Sequence, residues 1–231
     1  MITANNILYL ILAYLLGSIP SAVWIGKYFY KIDVREYGSG NAGSTNVFRV
    51  LGKKAGIPVL IIDILKGFAA VSLAYVSSYP KGSNNFINLQ LLLGIAALVG
   101  HIFPIFASFR GGKGIATLLG IVLAIHPYAA SISISVFIIV LLISSYVSLA
   151  SIISAIVFPI IVIVVFKSNV PALIIFSILI PIMVLITHQK NIERLIRREE
   201  SKSKLLKKKK PEEKPCDEVI EEQMEMDADL D

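Results

Sequence analysis

Only three carboxylates, Asp33, Glu36 and Asp63, occur in the first 190 residues of this 231-residue chain. A soluble domain of that size needs a charged shell, and the side chains to build one are missing. The same 190 residues hold twelve Lys and Arg, while residues 191–231 hold ten bases and thirteen acids. With 55% hydrophobic residues and a mean hydropathy of +0.75, the first part reads as an all-α, polytopic integral membrane protein with nine surplus cations. Such a body suits anions, either phosphates or acidic lipid headgroups. Nothing in it points to nucleic acid.

About 20 apolar residues are needed to cross the hydrocarbon as helix. Candidate segments are 5–26, 55–79, 86–107, 114–126, 128–146, 148–166 and 171–187. That makes about seven helices, and the segment at 114–126 is too short to span alone, as expected of a partly inserted helix lining a site. The first 26 residues carry no charge, and Lys27 and Lys31 follow the apolar run. A cleavable signal has its bases in front, so this segment reads as a first membrane helix with its N-terminus outside. Bases then alternate as the positive-inside rule requires. Loop 27–54 holds Lys27, Lys31, Arg35, Arg49, Lys53 and Lys54, and loop 108–113 holds Arg110 and Lys113, whereas the outer loops hold Lys81 and Lys167. The C-terminus is then cytoplasmic. A five-span arrangement is the alternative.

Residues 1–198 form the membrane domain in this reading, and 199–231 a charged, disordered cytoplasmic tail with a basic run at 207–210. Cys216, the single cysteine, lies in that tail and excludes an intrachain disulfide.

Three polar clusters fall on the inner face. The first, GSGNAGSTNVFR at 38–49, contains Gly38, Gly40 and Gly43. The match to a dinucleotide loop is formal only, because no strand precedes the glycines. A backbone nest for an anion fits better, with Ser39, Asn41 and Thr45 adding hydrogen bonds and Arg49 a bidentate cation. The bland reading is a turn-rich linker. The second cluster places Gly111, Gly112, Lys113 and Gly114 at the start of the short helix, where free amides and the helix dipole favour a phosphate. It is not a Walker A loop, since Gly114 rather than Ser or Thr follows Lys113 and the glycine spacing differs. The third cluster spaces His188, Asn191 and Arg194 three apart, on one face if the helix continues.

Weaker signals accompany these. Asp63 and Lys66 stand three apart inside the second segment and read as an internal ion pair bracing the site. His101 precedes the Phe103-Pro104 turn and can hold that loop, while His126 falls on the outer side. Ser148 lies at an inner turn, where most serines serve helix packing. No metal-ligand cluster, paired carboxylate, nucleophile elbow or cofactor fingerprint is present in the sequence. Positioning and charge stabilisation of phosphate-bearing substrates remain. A small anion transporter is the alternative from another class, and a lipid-binding scaffold a third. A transporter needs polar positions near the midplane and access from both sides, whereas these residues crowd on one face.

Taken together, GSGNAGSTNVFR at 38–49, GHIFPIFASFRGGKGIAT at 100–117 and HQKNIERL at 188–195 resemble the bacterial acyl-phosphate:glycerol-3-phosphate acyltransferases, the PlsY family. Shorter echoes are GSIPSA at 17–22, DILKG at 63–67 and YVSLAS at 146–151. The resemblance implies a seven-helix enzyme of the bacterial cell membrane with a cytoplasmic site. It implies transfer of an acyl group from acyl phosphate to the 1-hydroxyl of glycerol 3-phosphate, giving lysophosphatidic acid and phosphate without a cofactor. A soluble acyl-carrier-protein:phosphate acyltransferase is the implied supplier of the donor. Ser39, Asn41, Thr45, Arg49, Lys113, Ser148, His188 and Asn191 would line the site. Arg49, Lys113 and His188 would bind phosphate, and Gly40, Gly43, Gly111, Gly112 and Gly114 would hold the acyl phosphate. Two departures stand out: Ser44 where the family often has Ala, and Arg197-Arg198-Glu199 where it often has Gly followed by an acid.

Overall fold

The computed structural model describes residues 4–203, and every regular element among them is helical. Ten helices follow in order: α1 Ala4–Gly17, α2 Ser21–Tyr30, α3 Ser44–Val50, α4 Lys53–Ser72, α5 Asn84–Ile102, α6 Ile115–Ile125, α7 Pro127–Ser144, α8 Val147–Ile160, α9 Pro171–Thr187 and α10 Gln189–Ile196. Four stretches are long and apolar enough to cross a membrane: Lys53–Val76, Asn84–Ala107, Pro127–Ser144 and Val147–Val165. Two bent pairs, Asn5–Gly17 with Ser21–Tyr30 at 41° and Pro171–Thr187 with Gln189–Ile196 at 65°, bring the number to six if each is one span. The chain is therefore a membrane-spanning protein, all-helical among the described residues.

All seven expected segments are helical, and α6 is short as its 11 residues require. Three local readings change. The first segment breaks at 18–20 and resumes as α2, because Pro20 has no amide to continue the ladder. Residues 44–50, read as loop, wind into α3 and so put Thr45 and Arg49 one turn apart on a helix. The last helix does not continue through His188, which sits at the 65° bend between α9 and α10. The expected common face therefore holds only for Asn191 and Arg194, both on α10.

Close packing of backbones holds the bundle together. α4 packs most extensively on α6, α1 on α5 and α7 on α8. A Cβ at Gly120 would lie 1.9 Å from the Ile64 carbonyl oxygen, and one at Gly67 2.2 Å from that of Thr117. Gly17 and Gly100 serve the α1–α5 crossing in the same way. In lipid, where apolar side chains gain little by meeting each other, such contacts supply the packing attraction. The short α6 is thus pressed on α4 along its length, with its N-terminal loop beside the breaks in α1–α2 and α9–α10. His126, at the far end of α6, accepts from the Ala129 amide in a capping role, with its ring tilted against that of Phe166.

Candidate active site

The first polar loop is organised from inside by Asn46. This buried side chain donates through Nδ2 to the carbonyls of Val34 (2.8 Å) and Tyr37 (3.1 Å). Its Oδ1 accepts from the Ser39 amide (2.8 Å) and hydroxyl (3.1 Å). Gly38 and Gly40 turn the chain with φ of 63° and 70°, a conformation that costs side chains about 1 kcal/mol or more. Ser39 is thereby held at the surface, with Asn41, Thr45 and Arg49 along the same loop and helix. Arg49 makes no ion pair among the described residues, so its guanidinium is available to an anion.

Arg35 ties this loop to the second one. Its Nε and Nη2 clamp Asp33 at 2.9 and 2.7 Å, and its Nη1 donates to the Ala107 carbonyl at 2.9 Å. The Arg35 side chain holds the Asp33 carboxyl far below the usual carboxylate range. In the second loop, the amides of Gly111 and Gly112 return to the carbonyls of Ile102 and His101, each at 3.2 Å. A Cβ at Gly111 would lie 2.0 Å from the His101 carbonyl oxygen, so this fold of the loop excludes a side chain there. Gly114, at φ 80°, turns the chain into α6.

Lys113 then reaches across to α10, where its Nζ donates to Asn191 Oδ1. Burial lowers its pKa to about 8, with Arg194 and Arg49 pushing the same way and Glu200 opposing. His188, buried at the bend, directs Nδ1 at the Val184 carbonyl (2.9 Å). A carbonyl only accepts, so Nδ1 carries the proton and Nε2 of the neutral ring keeps its lone pair.

One carboxylate completes the cluster. Glu200 accepts through Oε1 from Ser148 Oγ (2.9 Å) and Asn191 Nδ2 (2.7 Å), and through Oε2 from Arg194 Nε (2.7 Å). Burial raises its pKa, but the bonds from Arg194, Asn191 and Ser148 outweigh that and keep it below the usual value. α6, α8 and α10 are therefore joined through Lys113, Ser148 and Asn191. No group of three His, Cys, Asp or Glu able to hold a metal ion occurs among the described residues.

The sequence pattern of the glycerol-3-phosphate acyltransferase family matches residues 7–198. The chain belongs to that family. It is 51% identical over 167 residues to the glycerol-3-phosphate acyltransferase of Enterococcus faecalis, an overlap of 72% of this chain and 74% of that one. It is 50% identical over 153 residues to that of Listeria welshimeri, covering 66% and 75%. Among solved structures it resembles PlsY, an integral membrane glycerol 3-phosphate acyltransferase, in its glycerol 3-phosphate form, with a TM-score of 0.77 at 36% identity and coverage of 86% and 96%. The lysophosphatidic acid form of PlsY gives 0.74 at 37%, covering 86% and 95%.

In this member of the family, the expected residues gather in two groups. Lys113, Asn191 and Ser148 are linked by hydrogen bonds through Glu200, and His188 and Arg49 lie within electrostatic reach of Lys113. Ser39, Asn41 and Thr45, with Gly40 and Gly43, belong to the first loop, which touches the second where the Ala42 carbonyl approaches Gly112. Glu200, Asn46 and Arg35 are not singled out as site residues by the sequence reading, in which Arg35 is only an inner-loop charge. Glu200 is the second residue of the stretch 199–231 read as tail, yet it is buried among the site residues. The segment turns back at Arg198 (φ 60°), and the Ser203 amide binds the Ser145 carbonyl at 2.7 Å. Arg198 thus takes a backbone conformation that Gly adopts without cost.

Proposed function

We propose that the protein transfers a fatty acyl group from acyl phosphate to the 1-hydroxyl of sn-glycerol 3-phosphate, the first step of phospholipid synthesis. The observation that carries this reading is the convergence of Lys113, His188 and Asn191 beside Arg49 and Arg194. Both substrates are phosphate-bearing anions, and this cluster brings the Lys113 ammonium and the Arg49 guanidinium to one place. Acyl phosphate is already an activated mixed anhydride, so a positioned hydroxyl suffices as nucleophile. The hydroxyl oxygen forms the ester bond to the acyl carbon as the bond from that carbon to the phosphate oxygen breaks. Phosphate leaves with its bonding pair, stabilised by Lys113 and Arg49. The hydroxyl proton passes to a substrate phosphate oxygen. His188 Nε2 is the rival acceptor, and its free lone pair supports that second reading.

In the same reading, Ser39, Asn41, Thr45 and Ser148 orient the glycerol hydroxyls and the phosphates, and Gly40, Gly43, Gly111, Gly112 and Gly114 allow main-chain amides to approach them. The site faces the cytoplasm of a bacterial cell, the N-terminus lies outside, and seven helical segments form the membrane body. The concentration of Lys and Arg in loops 27–54 and 108–113 supports that orientation. A soluble acyl-carrier-protein:phosphate acyltransferase supplies the donor. Against anion transport, the charged pair within a span, Asp63 and Lys66, is used up internally.

The test uses purified protein in detergent with glycerol 3-phosphate and either palmitoyl phosphate or palmitoyl-CoA. Mass spectrometry is expected to find 1-palmitoyl-glycerol 3-phosphate with the phosphate donor only. Product with palmitoyl-CoA alone would overturn the donor assignment.

A further inference from the structure

We infer that Asp63, Lys66, His101 and Thr117 form a buried positioning network that sets the shape of the second glycine loop and touches no substrate. The inference rests on the acyltransferase reading above and assigns a task to groups that the reaction does not consume.

Asp63 is 1% and Lys66 5% exposed, inside a spanning helix where an unpaired charge costs several kcal/mol, so their partners are decisive. Asp63 Oδ1 accepts from Ser21 Oγ (2.7 Å) and lies 2.8 Å from Lys66 Nζ. Lys66 also donates to the Ile19 carbonyl at 2.8 Å. Ile19 and Ser21 flank Pro20 in the break between α1 and α2, so the pair pins that break. Pinning alone is a brace, and buried ion pairs are seldom needed for stability when apolar residues can fill the same space.

His101 extends the pair toward the site. Its Nδ1 lies 2.9 Å from Thr117 Oγ1 and 3.7 Å from Asp63 Oδ1. A carboxylate on that side favours the proton on Nδ1, which turns the lone pair of Nε2 toward the loop. A Cβ at Gly112 would be 2.4 Å from Nε2 and 3.2 Å from the Ala42 carbonyl oxygen of the first loop. The main chain of His101 accepts the Gly112 amide as well. One residue therefore holds the position before Lys113 by ring and backbone together, where both glycine loops meet.

The space between these groups is ≈ 10 Å³, room for about one water and far too little for a glycerol phosphate. The network acts through the loop. A shift of the His101 ring moves Gly112, and Lys113 with it. Misplacing a binding group by about 1 Å can cost about a hundredfold in rate.

His101→Asn, Thr117→Val and the double variant of the full chain decide this, each assayed for kcat, for the KM of both substrates and for melting midpoint in detergent. The wild-type protein is assayed first, since a wild type that makes no product defeats the enzyme reading and not this one. Each single variant is expected to raise the KM of the substrate whose phosphate the second loop holds by about tenfold. The other KM and the midpoint should stay near wild type, and the double variant should be no worse than the worse single one, as two members of one path require. Unchanged KM values, or a fall in kcat and midpoint together at wild-type KM, overturn the inference and leave a brace. If His101→Asn does not fold, Thr117→Val decides alone, because it keeps the volume and removes only the hydroxyl.

Discussion

At Lys113, burial and two neighbouring arginines work against the charge that the site needs, and the pKa falls to about 8. The cation is present below that value and lost as pH rises through it. Because kcat/KM reports the free enzyme, it should decline above pH about 8 through a rise in KM. Lys113→Arg, whose charge persists to high pH, should flatten that limb while lowering the plateau, as a guanidinium does not fit a point-charge contact. A pH profile of both proteins with one substrate held saturating reads this directly. Asn46 illustrates a different kind of residue, one that meets no substrate. Asn46→Ala strands the Ser39 amide and the carbonyls of Val34 and Tyr37, and should cost about 2–3 kcal/mol of stability and slow turnover through Ser39. A lower melting midpoint with a reduced kcat is the expected pair of results. An unchanged kcat would remove Ser39 from the chemistry. Lys113 was legible from its setting among glycines at the start of a short helix. Asn46 was not, because an Asn in a polar loop looks the same whether it faces solvent or four backbone and hydroxyl partners.

Between residues and fold stand the helix breaks, and the one at His188 carries a site group. The first lies at Pro20, inside a segment read as continuous over 5–26. The bend at His188 was hidden, since His188, Asn191 and Arg194 at threefold spacing suit a continuous helix equally well. Beyond the bend, Glu200 binds Asn191 and Arg194 of α10 together with Ser148 of α8. Nothing local distinguishes Glu200 from Glu199 beside it, and only the turn at Arg198 sends one of them inward. Ending the chain after Arg198 should therefore lower activity at least about tenfold, as loss of hydrogen bonds to a charged group implies, whereas ending it after Ser203 should leave activity intact. Equal activity of the two truncated proteins would show that the carboxylate does not hold the site.

Over the whole molecule, charge distribution and apolar segment lengths were enough to place seven helical segments and the three polar clusters. Helix pairing was beyond them, because α4 meets α6 and α1 meets α5 through glycines that look like any other small residue in an apolar run. Gly120→Val puts new atoms against the Ile64 backbone and should destabilise the bundle by about 1–3 kcal/mol, a loss visible as a lower melting midpoint in detergent. A midpoint equal to wild type would mean that α4 and α6 do not pack this closely. The wider consequence of the architecture is that one short helix, held by such a contact, brings Lys113 to residues from the far end of the chain. Phosphate release by the purified protein, supplied with palmitoyl phosphate and glycerol 3-phosphate beside a Lys113→Ala control, tests that arrangement most directly. Release that requires both substrates and collapses in the control is expected. Release that proceeds without glycerol 3-phosphate, or that survives in the control, would contradict it.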